Sequence, residues 1–262
     1  MSASGSEELA AKAQDLLRLH HSAQPLLLPN AWDVASAKAV QAAGFPVLAT
    51  SSHAVVDVLG EADDDTTDPD LIFDFTARIA RAVSVPVSAD LEGGYRLPAA
   101  ELVDRMLAAG VVGCNLEDSD HHGGGVLLDA DRHAAQLAEV RAAAQRRGVH
   151  IVLNARIDTF IRAVGDPAAQ VKEAIRRARL YLKAGADCVY PIAVARREDA
   201  AALVRSIPGP VNLLAYPGGI PIGQLGQIGA RRISLGGVIF SLVAARQREL
   251  LAALAAGADL ET

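Results

Sequence analysis

The sequence has 262 residues, of which 51% are hydrophobic, 21% charged and only 4% aromatic. That composition supplies one large aliphatic core and excludes a disordered chain. Lys and Arg number 25 against 31 Asp and Glu, a net charge of -6. This argues against a basic face for nucleic acid or anionic membrane but permits a local anion pocket.

Residues 1–24 read as a short tail and an added N-terminal helix, without the basic and apolar regions of a secretory leader. From residue 25 onward, short apolar runs alternate with helical patterns. Strands are predicted at 26–29, 47–50, 87–90, 113–117, 151–156, 188–190, 211–215 and 232–235. Several hardly alternate, as strands buried on both faces require. Between them lie amphipathic segments such as DPDLIFDFTARIARAV and LPAAELVDRMLAAG, and a last helix is predicted over 238–256. Gly44, Gly110, Gly148, Gly185 and Gly229 close such segments as C-terminal caps, and Asp166-Pro167 opens one. No Gly-rich loop meets the dinucleotide rule.

Eight strand–helix units without a linker predict one (β/α)8 TIM barrel over 25–262, behind the short N-terminal helical extension. A doubly wound sheet is the alternative. Two long connections, 51–68 and 119–128, are lid candidates. No apolar stretch is long enough for a membrane span. Cys114 and Cys188 lie far apart in apolar runs and read as inert core thiols, consistent with a cytoplasmic protein.

In a barrel the catalytic groups stand at the C-terminal ends of the strands. Those ends carry Asn30 and Asp33, then Thr50, Ser51, Ser52 and His53, then Asp90, Glu92 and Tyr95, then Glu117, Asp118, Arg156 and Asp158. Asp90, Glu92 and Glu117 make an all-oxygen set suited to Mg2+ or Mn2+, and Asp63 can reach in from the 51–68 loop after the second strand. Without a cation, Asp90 and Glu117 would serve as caps or ion-pair partners. Arg156 offers a planar fork to a carboxylate or phosphoryl group. Asn212 can donate to a second substrate carboxylate, and residues 50–52 can direct hydroxyls at an enolate oxygen. His53 can shuttle a proton, while His121 and His122 can close over a bound substrate.

The segments PNAWDVASAKAVQAAGF, SADLEGGY, GCNLEDS, LNARIDTF, YLKAGADCVYP, PVNLLAYPGG and RRISLGG, in this order, resemble the isocitrate lyase and phosphoenolpyruvate mutase superfamily from about residue 29 to 237. The resemblance implies that Asp90 is the direct Mg2+ ligand and that Glu92 and Glu117 hold metal-bound water, with Asp63 nearby. It implies that Thr50, Ser51 and Ser52 bind the 2-oxo acid, with Arg156 and Asn212 on the substrate side. Tyr95 follows the family's Gly-Tyr pattern. It also implies a homo-oligomer, dimer or tetramer, often with an exchanged barrel helix. The sequence departs from the lyases in two places that carry chemistry, and it also lacks the lysine and asparagine of the mutases' lid. The lyases' Cys-bearing loop after the fourth strand is here SDHHGGGVLL, without Cys, and Ile192 stands where they carry Glu.

What remains suits one task, polarising a small anionic 2-oxo acid so that cleavage at C3 leaves a pyruvate-like enolate. The expected activity is a Mg2+-dependent carbon–carbon lyase or decarboxylase acting on a 2-oxo or 2-hydroxy di- or tricarboxylate. Candidates for proton transfer are His53, Tyr95 and His121, beside Arg156. The alternatives are phosphonopyruvate-type carbon–phosphorus chemistry and a non-catalytic 2-oxo acid binding protein.

Overall fold

The computed structural model describes residues 3–163 and 165–259. All eight predicted strands form, within a residue or two of their expected bounds, and all pair in parallel. The first is split at Pro29. Its β1 half (Leu26–Leu28) pairs with the last strand, β11 (Arg232–Ser234), and its β2 half (Asn30–Ala31) pairs with β3 (Leu48–Thr50). Proline has no N–H to donate, so the change of partner falls there, while its carbonyl still accepts from Ala49 N at 3.0 Å. The order continues through β4 (Val87–Asp90), β5 (Gly113–Glu117), β8 (Val152–Ile157) and β9 (Cys188–Pro191). A bridge between Val189 and Val211 then leads to β10 (Asn212–Leu214), which pairs with β11 and closes the barrel. Strands enclosed on both sides explain the unalternated apolar runs.

The N-terminal helix α1 (Ala3–His20) covers the end of the barrel where the strands begin. Ala13 and Leu16 are fully buried. A Cβ at Gly113, where β5 starts, would stand 2.7 Å from Leu16 Cδ2, so glycine there lets the helix seat. Cys114 and Cys188 are buried within the wall, and burial pushes both thiols up to about 12.

Two expectations change. The 51–68 connection is not one long loop. Its first half folds as α3 (Ser52–Leu59), with Ala54, Val55 and Val56 buried, leaving residues 60–68 as the loop. Loop 119–128 is a small hairpin of β6 (Ser119–Asp120) and β7 (Val126–Leu127), joined through a single 3-10 turn at His121–Gly123. Asp120 fixes it by accepting from Gly123 N at 2.8 Å through its carboxylate and from Gly125 N at 2.7 Å through its carbonyl.

The remaining helices take their expected places, the last, α10 (Val238–Ala255), included. No side chain on it is buried, although its sequence is mostly apolar. Among the described residues no helix is long and apolar enough to cross a membrane.

Candidate active site

The polar residues read from the strand ends gather at the C-terminal mouth of the barrel. Asp90 closes β4 and is held on both oxygens. Its Oδ2 accepts from Ser52 Oγ at 3.0 Å and Ser52 N at 3.3 Å, and its Oδ1 accepts from Asn115 Nδ2 at 3.1 Å. The Asp90 amide donates to Thr50 Oγ1 at 3.0 Å, which leaves the Thr50 hydroxyl proton free to point elsewhere. Ser51 is the N-cap residue of α3, but its hydroxyl does not cap the helix. First-turn amides of α3 therefore face the mouth without intrahelical partners.

Glu117 ends β5 and is buried. Arg156 Nη1 reaches its Oε2 as an ion pair, and His121 Nε2 meets its Oε1. Burial pushes the Glu117 carboxyl up, against the opposing pull of Arg156 and His121. Arg156 also forks onto Asp158, Nε to Oδ1 at 2.7 Å and Nη2 to Oδ2 at 3.1 Å. Two of its five N–H groups are hydrogen-bonded to Asp158 and Nη1 pairs ionically with Glu117, so at least two N–H groups remain for a ligand. Asp158 is seated in turn by Ser119 Oγ at 2.6 Å.

Glu92, Tyr95 and Arg96 have positive φ, at 49°, 53° and 55°. Such a cluster of left-handed non-glycine residues is costly and has to be held. Asp65, itself at φ 61°, holds it by accepting from Tyr95 N at 2.8 Å and Gly93 N at 3.2 Å. The Asp65 amide donates to Glu92 Oε2, and Tyr95 Oη donates to Glu92 Oε1 at 3.1 Å. Burial, then the neighbouring charges of Asp63 and Asp90, push the Glu92 carboxyl up to about 8. Asp63, with 37% of its side chain exposed, is raised for the same first reason, with Asp90 as the next cause.

Not every candidate joins this group. His53 is largely exposed, its Nδ1 3.8 Å from Asp63 Oδ2. Asn212 is enclosed in the barrel interior and donates to Ser234 Oγ at 2.9 Å. Asp33 caps α2 (Val34–Ala42), accepting from Ser36 N at 2.7 Å. Asp118 ties Tyr181 Oη at 2.7 Å and Arg177 Nη1 at 3.0 Å, a buried structural network. Sequence reasoning left Asp65, Asn115 and Ser119 without roles, and read Asp158 or Glu117 as the ion-pair partner of a purely structural Arg156; both pair with it. An Asp two residues after Arg156 was the visible hint of a partner for its fork.

The carboxylates carry more charge than Arg156 offsets. Among the described residues no three His, Cys, Asp or Glu side chains converge as a ready ligand cage. A cavity of about 550 Å³ opens beside the hairpin, bounded by Asp65, Arg96, His121, His122 and Arg132.

A closed parallel barrel with hydroxyls, carboxylates and one forked arginine at its mouth defines the class, a (β/α)8 barrel enzyme. The sequence profile of phosphoenolpyruvate phosphomutase matches residues 16–255. The chain therefore belongs to that family, within the isocitrate lyase/PEP mutase superfamily, and its homologues are carbon–carbon lyases or mutases. It is 34% identical over 224 residues to an uncharacterized protein of Mycobacterium tuberculosis (strain H37Rv), covering 85% of this chain and 82% of that one. A structure from Burkholderia cenocepacia J2315, provisionally described as a phosphonomutase, superposes with a TM-score of 0.87 at 35% identity, covering 92% of this chain and 98% of that one. The 2,3-dimethylmalate lyase of the same superfamily superposes with a TM-score of 0.84 at 26% identity, covering 96% and 91%.

Proposed function

We propose that the chain is a Mg2+-dependent carbon–carbon lyase or decarboxylase that acts on a 2-oxo or 2-hydroxy di- or tricarboxylate through a pyruvate-like enolate. The observation that carries this is Asp90, fixed on both oxygens beside Arg156, with Glu92 pushed up to about 8 by burial first and by the neighbouring carboxylates second. Such crowding fits a divalent cation. Asp90 would hold it directly, and Glu92, Glu117 and Asp63 would hold it through water. Mg2+ keeps several waters, so no preformed cage of three carboxylates is needed. When bound, the ion supplies a Lewis acid that draws charge from the substrate carbonyl.

The chain's own residues do the rest. The remaining N–H groups of Arg156 bind the carboxylate of the oxo acid. The Thr50 hydroxyl and the first-turn amides of α3 donate to the oxygen on which charge develops. Tyr95 stays a phenol, since burial and then Glu92 push it well above 10, so it is a donor and not a base. His121 is raised by its hydrogen bond to Glu117 and enters as an acid. It stands in the loop that lacks the lyases' Cys, and it would protonate the enolate carbon after CO2 leaves; in an aldol cleavage the hydroxyl proton of the departing fragment would first pass to His53. His53, exposed and near Asp63, can exchange that proton with solvent.

A second reading, carbon–phosphorus cleavage of a phosphonopyruvate-like acid, is favoured by the likeness to the Burkholderia cenocepacia protein. One screen separates the two. Oxaloacetate, its alkylated and hydroxylated analogues, and phosphonopyruvate are supplied with Mg2+, and pyruvate is followed together with CO2 and phosphate. Pyruvate without phosphate supports the lyase. Phosphate from phosphonopyruvate alone supports the second reading. No turnover, with no Mg2+-dependent C3 deuterium exchange on pyruvate, leaves only a binding protein. We further propose that the protein works as a homo-oligomer in the cytoplasm.

A further inference from the structure

Arg232 is the largest fully buried side chain in the barrel, yet it has no carboxylate partner among the described residues. Its Nη2 donates to Asn115 Oδ1 at 3.2 Å and its Nε to Ser234 Oγ at 3.3 Å, and its Nη1 has no hydrogen-bond partner. On the adjacent strands Arg232 stands in register with Leu26 and Asn212. A buried, unpaired guanidinium is a poor way to fill a core, because desolvating it costs more than two neutral acceptors return. Its value must lie in what it does to those acceptors.

Asn115 stands in register with Asp90 on one side and Asn154 on the other. Its Nδ2 donates to Asp90 Oδ1 at 3.1 Å, while its Oδ1 accepts from Asn154 Nδ2 at 2.7 Å and from Arg232. An amide has a donor end and an acceptor end. Asn154 would satisfy Asn115 either way round, because it is an amide too and its Oδ1 is unpartnered. Arg232 would not, since a guanidinium has only donors. An ionised Asp90 only accepts, so it calls for the Asn115 NH2 on its own side while Arg232 calls for the oxygen on the other, and between them they fix the amide. The Asn115 oxygen is held toward Arg232, and its NH2 is forced onto Asp90.

We propose that Arg232 is a positioning residue that acts through Asn115 to hold Asp90 in the rotamer that receives the divalent ion. This rests on the reading of Asp90 as the direct ligand and deepens it. Arg232 touches neither substrate nor metal. With Arg232 gone, Asp90 alone orients the Asn115 amide, and the hydrogen bond that holds Asp90 is fixed less firmly.

The test is Mn2+ affinity of the full chain, read by electron paramagnetic resonance, alongside the Tm of the metal-free protein. The variants are Arg232→Met, Arg232→Lys, Asn115→Leu and the Met/Leu double. Arg232→Met is expected to weaken Mn2+ about tenfold while leaving the metal-free Tm unchanged or higher. A merely structural arginine would lower Tm and leave affinity alone. Lys, which keeps the charge and donors only, is expected to recover part of the loss. The double variant is expected to bind no more weakly than Asn115→Leu, because one residue acts through the other. Wild-type affinity in Arg232→Met, or losses that multiply in the double, overturns the proposal. Should the Met variant not fold, Arg232→Lys and its double with Asn115→Leu carry the same comparison. Asp90→Asn is the control. If it binds Mn2+ like the wild type, the reading of Asp90 falls, and this proposal with it. If it loses Mn2+ while Arg232→Met does not, only the role of Arg232 falls.

Discussion

Tyr95 donates its phenolic proton to Glu92 Oε1 at 3.1 Å across a turn in which both residues take left-handed backbone angles. The pair keeps a raised carboxyl in a strained loop, and the strain is worth about 1–3 kcal/mol at each such residue. Glu92 sits at about 8, well above its ordinary 4.5. The folded, metal-free chain therefore holds a proton that the unfolded chain has released between these values. Its stabilising effect is full below about 4.5 and is lost as pH rises toward 8. The slope from one such group is at most about 1.4 kcal/mol per pH unit. Thermal melts from pH 5 to 8 are expected to show this decline in metal-free protein. Saturating Mg2+ is expected to flatten it, because a cation favours the ionised form. Glu92→Gln is expected to remove it, and an unchanged slope in that variant would refute the assignment.

The fork of Arg156 predicts different outcomes for two substitutions. Arg156→Ala leaves Glu117 and Asp158 buried without their cation, at a cost of about 3–5 kcal/mol, so its loss of activity says little about chemistry. Arg156→Lys keeps the charge but not the planar fork. It is expected to fold and to raise KM at least about tenfold, the scale of one charge-assisted hydrogen bond lost. Asp90→Asn is expected to lower kcat by about 10²–10³ with a smaller change in KM, as for a group serving the transition state. Steady-state kinetics on whichever acid the screen identifies would separate these patterns. A kcat effect in Arg156→Lys without a KM effect would move Arg156 from binding to chemistry.

The hairpin predicts a division of labour between adjacent histidines. His121 lies against Glu117, whereas His122 lies 3.3 Å from Asp65 Oδ2. His121→Gln is expected to reduce kcat by about 10²-fold or more, the range of a lost general acid. The wild-type rate is expected to fall as pH rises through the elevated His121 pKa, and the variant to lose that limb. His122→Gln is expected to act mainly on KM. Gly125 has φ 74°, and a Cβ there would stand 2.7 Å from Arg162 Nη1. Gly125→Ala should therefore disturb the seat of the hairpin and raise KM. Equal pH profiles for wild type and His121→Gln would remove His121 from proton transfer.

These groups differ in how far the sequence revealed them. A strand enclosed by helices and barrel interior reads as an apolar run, so all eight were visible. The polar residue ending such a run stands out, which is why Asp90, Glu117 and Arg156 were legible. Helix α3 was not, because HAVVDVL mixes polar residues with β-branched ones of modest helix propensity, and burial of Val55 and Val56 stabilises it. Within EADDDTTDPD the sequence could not say which Asp would hold the Gly93–Tyr95 turn, since that depends on the backbone angle at Asp65. Of the adjacent arginines 231 and 232, one is exposed and one fully buried. Only the register of β11 decides which. The same composition that gave a net -6 thus conceals a cation in the barrel interior.

The last helix yields the most direct test of assembly. On α10, Leu242 and Leu251 are each 57% exposed, and Leu250 and Leu254 are exposed as well. At its root, Trp32 meets Phe240 edge to face at 5.3 Å between ring centroids. There an apolar cavity of about 550 Å³ opens along α2, bounded by Ala39, Val40, Phe45 and Leu235. An 18-residue helix with no buried side chain draws little stability from its own barrel beyond the contact at its root. Burying its leucines against a second copy would contribute on the order of 1 kcal/mol or more for each. Sedimentation is expected to give a dimer or tetramer. Replacing Leu242 and Leu251 together by Asp is expected to yield monomer with a lower Tm, because two charges would then enter the contact. A wild-type monomer, or an oligomer indifferent to both substitutions, would place the subunit contact elsewhere or remove it.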